Sequence, residues 1–89
     1  MPAPLREPLE LHPDVALRPE PFGALAYHYG TRRLTFLRSR DLVQLVESLG
    51  HHRSVDDALT ASSIEPRRWP AFRSAIASLA DSGFLRARG

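Results

Sequence analysis

The hairpin pattern of residues 24–37 constrains the fold of this chain more than any other segment. Two runs of alternating residues flank Gly30 and Thr31, and a two-residue loop that begins with glycine is typical of a type II′ turn, which needs a positive φ at that glycine. This turn fixes the pairing of the two runs. Four large side chains then share one face of the hairpin, as cross-strand packing requires. They are Leu25, Tyr27, Leu34 and Phe36.

The opposite face of the predicted hairpin carries smaller or polar side chains. His28 faces Arg33 and Ala26 faces Thr35 in this register. A slip of one residue would pair apolar side chains with polar ones, so the alternation supports a single register. We therefore expect the large residues to be packed and His28 to lie on the surface.

Upstream of the hairpin, residues 14–18 alternate as a strand does, and residues 19–23 turn the chain. The two prolines of that turn are expected to break any ladder. Four prolines in residues 1–13 predict a flexible N-terminal arm. The remaining residues, 14–89, are predicted to form one domain, which agrees with the length of the chain.

Three helices are predicted after the hairpin. Ser39 can cap the first, which carries an apolar stripe and ends at Gly50. Ser54 begins a Ser-x-x-Asp capping motif that opens a short second helix. The third either follows a short turn at Pro66 or restarts at Pro70, since proline suits a first turn and not a helix interior. This order predicts an α+β domain, with a three-stranded antiparallel sheet packed on three helices in a winged-helix-like arrangement.

The composition argues against several kinds of site. The chain has no cysteine, so it cannot form disulfides or Cys-type zinc sites. Its four histidines have no carboxylate at metal-ligand spacing, and its serines do not lie in a nucleophile-elbow motif. We therefore predict no catalytic residue, no metal and no enzyme activity. The sequence has no apolar run of membrane-spanning length, and we expect a cytoplasmic protein.

Binding is the kind of function that the residues favour. All twelve basic residues are arginine, whose planar donor group suits carboxylates, while a net charge of +2 is small for a nucleic-acid protein. The third helix has a second face of alanines headed by Trp69 and Arg73, which either lines a groove or packs against another helix. The strand 33–37 is either a protected edge or an edge that accepts an extended peptide as a further strand.

Two segments, 16–49 and 69–86, resemble the mycofactocin biosynthesis peptide chaperones, which belong to the PqqD-like peptide-recognition domains of ribosomally made, modified peptides. The resemblance covers about residues 12–87 and is most specific in the run RPEPFGALAYHYGTRRLTFL. It involves no catalytic signature. It implies three antiparallel strands packed on three helices, close to a winged helix, and no cofactor.

The same resemblance implies a mode of action. Such proteins bind the acidic leader of a short precursor peptide, which adds as a strand between the third strand and the third helix. They present it to a radical S-adenosylmethionine maturase, which acts on a C-terminal Val-Tyr pair. On this chain the expected peptide-binding residues are Arg32, Arg33, Leu34, Thr35, Phe36, Leu37, Arg68, Trp69, Phe72, Arg73, Ile76 and Ala77. Phe72 and Ile76 are alternatively core residues.

Two other functions stay open at this point. Arg67, Arg68 and Arg73 would suit a winged-helix DNA-binding protein whose third helix enters a major groove. Glu65 and Asp81 at the ends of that helix argue against it, as does a tail that is short for a wing. A purely structural subunit would instead bind the maturase without the peptide.

Overall fold

The predicted hairpin lies within a three-stranded antiparallel sheet in the computed structural model, which describes residues 8–88. The strand order across this sheet is β2-β3-β4, and a second, two-stranded sheet pairs β1 with β5. The predicted α+β class with a three-stranded antiparallel sheet is confirmed, and the small second sheet is an addition. The strands are β1 (Leu9–Leu11), β2 (Val15–Glu20), β3 (Gly23–His28), β4 (Arg33–Leu37) and β5 (Leu85–Ala87).

All three predicted helices are present: α1 (Arg40–Ser48), α2 (Val55–Ala61) and α3 (Trp69–Asp81). Each predicted serine cap is also confirmed. The hydroxyl oxygen of Ser39 accepts from the backbone N–H of the third residue along at 3.1 Å, and Ser54 does the same at 3.0 Å. Such caps satisfy backbone donors that a helix start leaves without partners.

The third helix follows the first of its two predicted alternatives. A 3₁₀ turn, Pro66–Arg68, precedes α3, and Pro70 lies in the first turn of α3, where its missing N–H is not needed. The helix ends at Asp81, and Gly83, which has a φ of +84°, allows the chain to turn back into β5.

The N-terminal strand β1 is part of the domain. Leu9 is almost completely buried, and β1 pairs antiparallel with β5, which brings the first and last strands of the described residues together. Residues 9–11 had been assigned to the flexible arm, and the structure places them in a sheet instead. Residues 1–7 of that predicted arm lie outside the described residues.

The register of the β3–β4 hairpin is confirmed, but the predicted packed face was wrong. Leu34 and Phe36 are 59% and 54% exposed, whereas Ala24, Ala26 and Leu37 are buried. The reason is the size of the residues on each face. The alanines leave room for α1 to pack closely on β3, so the large side chains point away from the helices.

The predicted surface position of His28 was wrong. Its side chain lies in the core and is only 4% exposed. Its Nδ1 accepts hydrogen bonds from the backbone N–H groups of Gly30 and Thr31, at 3.0 and 3.2 Å. The imidazole also packs edge-on against Phe84, with ring centroids 5.7 Å apart. The buried polar atom is thus satisfied by the turn that follows it.

The turn between β3 and β4 differs from the predicted type II′ turn. It spans residues 29–32, and its positive φ of 63° is at Arg32, not at Gly30. Hydrogen bonds to the imidazole of His28 hold the turn in this wider form. Gly30 is needed for space, because a Cβ there would lie 2.9 Å from atoms of Asp14 and His28.

Strand β2 also runs further than predicted. It continues through Pro19, which lies opposite Ala24, to Glu20. The expected break at this proline was wrong because β2 is an edge strand of its sheet. A proline on an edge strand can direct its missing N–H away from the neighbouring strand.

The close approach of β3 to the end of β4 leads to a first prediction. A Cβ on Gly23 would overlap the carbonyl oxygen of Leu37, and Gly23 has a φ of +156°. We expect Gly23→Ala to lower the free energy of unfolding by about 2 kcal/mol or more, measured by urea denaturation. Gly50→Ala is the matched control, since a Cβ there meets only ordinary contact, and should be neutral or slightly stabilising. Equal stability of the two variants would contradict this account.

A second prediction concerns the imidazole in the core. His28→Phe retains an aromatic ring but removes the acceptor for the two turn amides, so we expect it to destabilise the domain by about 1–2 kcal/mol. The amides of Gly30 and Thr31 should then exchange faster with solvent. His51→Phe, on an exposed turn, serves as the control and should change stability by less than about 0.5 kcal/mol. Unchanged amide protection in His28→Phe would refute the capping role.

Candidate functional site

The candidate site begins at the free edge of β4. Within residues 8–88, β4 pairs with β3 alone. The N–H of Tyr29, just after β3, donates to the carbonyl of Asp14, just before β2, at 2.9 Å. Tyr29 and every second residue before it in β3 therefore direct their backbone groups to β2, and the residues between them direct theirs to β4. Because these directions alternate along an antiparallel strand, Thr35 bonds inward to β3, and the residues on each side of it point outward. The N–H and C=O groups of Leu34 and Phe36 are therefore open to an added strand.

A groove extends from the end of β4 to helix α3. A cavity of about 160 Å³ lies between the start of α1 and one flank of α3. A second cavity, of about 280 Å³, adjoins it and shares Arg38 with it. The first is lined by Arg38, Ser39, Leu42, Ala71, Phe72 and Ala75, and the second by Phe22, Phe36 and Arg38.

Arginines without carboxylate partners are concentrated beside β4. In the part of the chain that the structure describes, six arginines form no ion pair, and four of these six lie beside β4. Two precede Leu34 and two follow Leu37, so positive charge lies at both ends of the open edge. These four are Arg32, Arg33, Arg38 and Arg40. Their donors are free to bind carboxylates of another molecule.

The arginines of α3 and of the turn before it are already paired. Arg68 binds the carboxylate of Asp41 at 3.0 Å, and Arg73 binds that of Asp56 at 2.7 Å. Arg67 lies 3.5 Å from Glu65. These pairs occupy guanidinium groups that would otherwise be available on α3, and they join α3 to α1 and α2.

The predicted α3 residues do not share one face. Phe72 lines the groove, while Ile76 is fully buried in the core and has no side-chain surface to offer. Trp69 and Arg73 lie on the opposite flank, toward α2, where the Nε1 of Trp69 donates to the carbonyl of Ile64 at 2.9 Å. Helical spacing puts Ala77 beyond Arg73 on that same flank, away from the groove.

Two alanines that line the groove, Ala71 and Ala75, were not predicted from the sequence. They lie at i and i+4 on α3, as small residues must to form a smooth flank. Alanines occupy the other flank as well, at Ala77 and Ala80, so the pattern alone could not decide which flank is open. Arg38 was also missed, although its position beside the capping Ser39 was visible in the sequence.

Other parts of the described chain offer less chemistry. Across residues 8–88, His, Asp and Glu side chains do not gather in a group that could hold a metal ion. A cavity of about 340 Å³ lies between α1 and α2; on its wall, the Nδ1 of His52 lies 3.1 Å from a carboxylate oxygen of Asp57. The helices within this range are too short or too polar to cross a membrane.

Comparison with known proteins gives one consistent result. The model of the peptide chaperone MftB family matches residues 8–86. The peptide chaperone MftB of Mycolicibacterium smegmatis is 44% identical over 75 residues, which cover 84% of this chain and 74% of that protein. The peptide chaperone MftB of Mycobacterium tuberculosis is 40% identical over 75 residues, or 84% of this chain and 69% of its own. No solved structure matches the chain.

Proposed function

The chain belongs to the peptide chaperone MftB family, and we propose that it binds the acidic leader of a ribosomally made precursor peptide by strand addition at β4. In this function it presents the peptide to a radical S-adenosylmethionine maturase in mycofactocin biosynthesis. The chain itself is not an enzyme and needs no cofactor, because its contribution is to hold an extended segment in place.

The open edge of β4 is the observation that carries this proposal. The backbone groups of Leu34 and Phe36 face away from β3, and main-chain hydrogen bonds to such an edge give affinity for any extended segment. Side chains of the added strand alternate between its two faces. Every second one would therefore enter the groove beside Ala71 and Ala75 and so provide selectivity.

Charge supports an acidic leader. Arg32 and Arg33 at one end of β4 and Arg38 at the other have no carboxylate partner among the described residues, so they can bind leader carboxylates along the whole added strand. Arg68 and Arg73 were expected to share this role. We now assign them to the ion pairs that hold α3 on its neighbours, since they could bind the leader only by leaving those carboxylates.

The DNA-binding alternative receives less support. It depended on Arg67, Arg68 and Arg73, and all three of these guanidinium groups lie within 4.0 Å of a carboxylate of the chain. Phosphate binding relies on unpaired cations that displace counterions from the duplex. Among the described residues, four of the six arginines without an ion pair lie beside the edge of β4, and none of the six lies on the helix that would enter a groove.

A backbone substitution tests the strand addition. Leu34→Pro removes the outward N–H without removing a hydrogen bond between β3 and β4, and edge strands tolerate proline. We expect the affinity for a synthetic leader peptide to fall at least about tenfold, measured by calorimetry, because one main-chain bond is lost and the ring obstructs the edge.

Leu34→Ala is the control for this experiment, because it shortens the same side chain but keeps the N–H. Its affinity should stay within about threefold of the wild type. Thermal unfolding of both variants checks that the domain is intact. If Leu34→Pro binds the leader as tightly as Leu34→Ala does, the peptide does not add to β4.

A matched pair of substitutions on α3 tests which flank lines the groove. Ala75→Leu fills the cavity beside β4, and we expect it to weaken leader binding about tenfold or more. Ala77→Leu adds the same volume on the opposite flank and should leave the affinity within about twofold. Both alanines are half-buried, so the two substitutions should change the stability of the domain by similar amounts. A difference in leader affinity between them then reports the position of the site. The reverse ranking would move the site to the flank of Trp69 and Arg73.

A further inference from the structure

The face of the main sheet that points away from the helices is unusually apolar for a solvent-exposed surface. We call it the outer face, and its large residues are Leu25, Tyr27, Leu34 and Phe36, together with Phe22 in the preceding turn. Phe22, Leu34 and Phe36 are 45%, 59% and 54% exposed. Phe22 packs edge-on against Phe36, with ring centroids 5.7 Å apart, so these side chains form a cluster and are not scattered. Contiguous exposed apolar surface of this kind marks interaction sites.

The outer face is distinct from the edge that would hold a peptide. An added strand bonds to backbone groups of β4 and lies beside the sheet, whereas the outer face consists of side chains that project from the sheet at right angles to it. Leu25 and Tyr27 belong to the central strand β3, which an added strand does not reach. Strand addition therefore leaves most of this cluster uncovered.

The charges around the outer face restrict what can cover it. On the three strands of this sheet, all within the described residues, the outer face carries a single carboxylate, that of Glu20, and Arg18 binds it at 2.8 Å. Arg32 and Arg38 add positive charge near the two ends of β4. A second copy of the chain would bring one arginine rim against another, which is unfavourable. Complementary charge requires a partner with carboxylates around an apolar centre.

From this arrangement we infer that the outer face is the docking surface for the maturase, through an apolar patch of that enzyme bordered by carboxylates. The identity of the partner rests on the proposed function, while the surface rests on the exposed cluster and its arginine rim. A leader strand added to β4 would extend the same sheet, so its outward side chains would border the docked enzyme. Docking and peptide presentation would then occur on one continuous surface.

Substitutions outside β4 separate docking from peptide binding. We expect Tyr27→Ser to weaken binding of the purified maturase about tenfold or more, measured by surface plasmon resonance, because it removes a large side chain of the outer face from the central strand β3, outside the groove. Tyr27→Phe keeps the aromatic ring and should bind within about threefold of the wild type. Leader affinity of both variants, measured by calorimetry, should stay within about twofold.

A charge reversal provides a second, independent variant. Arg18 and Arg67 each form an exposed ion pair with a glutamate two residues away, but only Arg18 lies on the outer face. We expect Arg18→Glu to weaken maturase binding at least about fivefold and to reduce its salt dependence, while Arg67→Glu leaves both nearly unchanged. Because both arginine side chains are exposed, neither substitution should change the packing of the core.

The outcomes distinguish this inference from the function on which it rests. If the wild type binds the leader but Tyr27→Ser and Arg18→Glu bind the maturase normally, the docking surface is wrong and the chaperone function stands. If the maturase binds through this face and the leader does not bind, the chaperone function fails. A dimer in light scattering that Tyr27→Ser dissociates would assign the face to a second copy and overturn the inference.

Discussion

Close packing of helix α1 on the small side chains of β3 is the constraint on which the rest of the structure depends. Ala24 and Ala26 are buried under the helices, and Gly23 meets the carbonyl of Leu37 where a Cβ could not fit. The sheet can approach the helices this closely only with its small residues inward. As a result its large residues face solvent, and the end of β4 leads directly into the capped start of α1.

The sequence predicted those features that short-range chemistry decides. Alternation around the hairpin gave the correct register, and Ser39 and Ser54 were recognised as caps because capping requires only a few neighbouring residues. The buried face of the sheet was not predicted correctly, since alternation separates the two faces but does not show which of them packs against the helices. The β1–β5 pair was also missed, because its partners lie at opposite ends of the chain.

One part of the candidate site could be predicted from the sequence and another could not. The order of the strands and helices indicated an exposed third strand, but it did not indicate which flank of α3 is open. Alanines occur on both flanks of that helix, and which flank faces α2 is a matter of tertiary packing with residues distant in the sequence, where Arg73 pairs with Asp56. The burial of His28 was equally hard to predict from the sequence. It is possible because the imidazole accepts hydrogen bonds from the two turn amides, whereas the polarity of the residue alone suggests the surface.

The geometry of β4 explains how one short strand could serve two partners in the proposed function. At Leu34 and Phe36 the backbone groups point to the open edge, while the side chains of the same two residues point to the outer face. In a pleated strand these directions are perpendicular, so a peptide bonded to the backbone need not compete with a protein that contacts the side chains. Peptide capture and docking can then be simultaneous. A captured strand enlarges the surface that the enzyme meets, which would favour docking of the loaded over the empty chaperone.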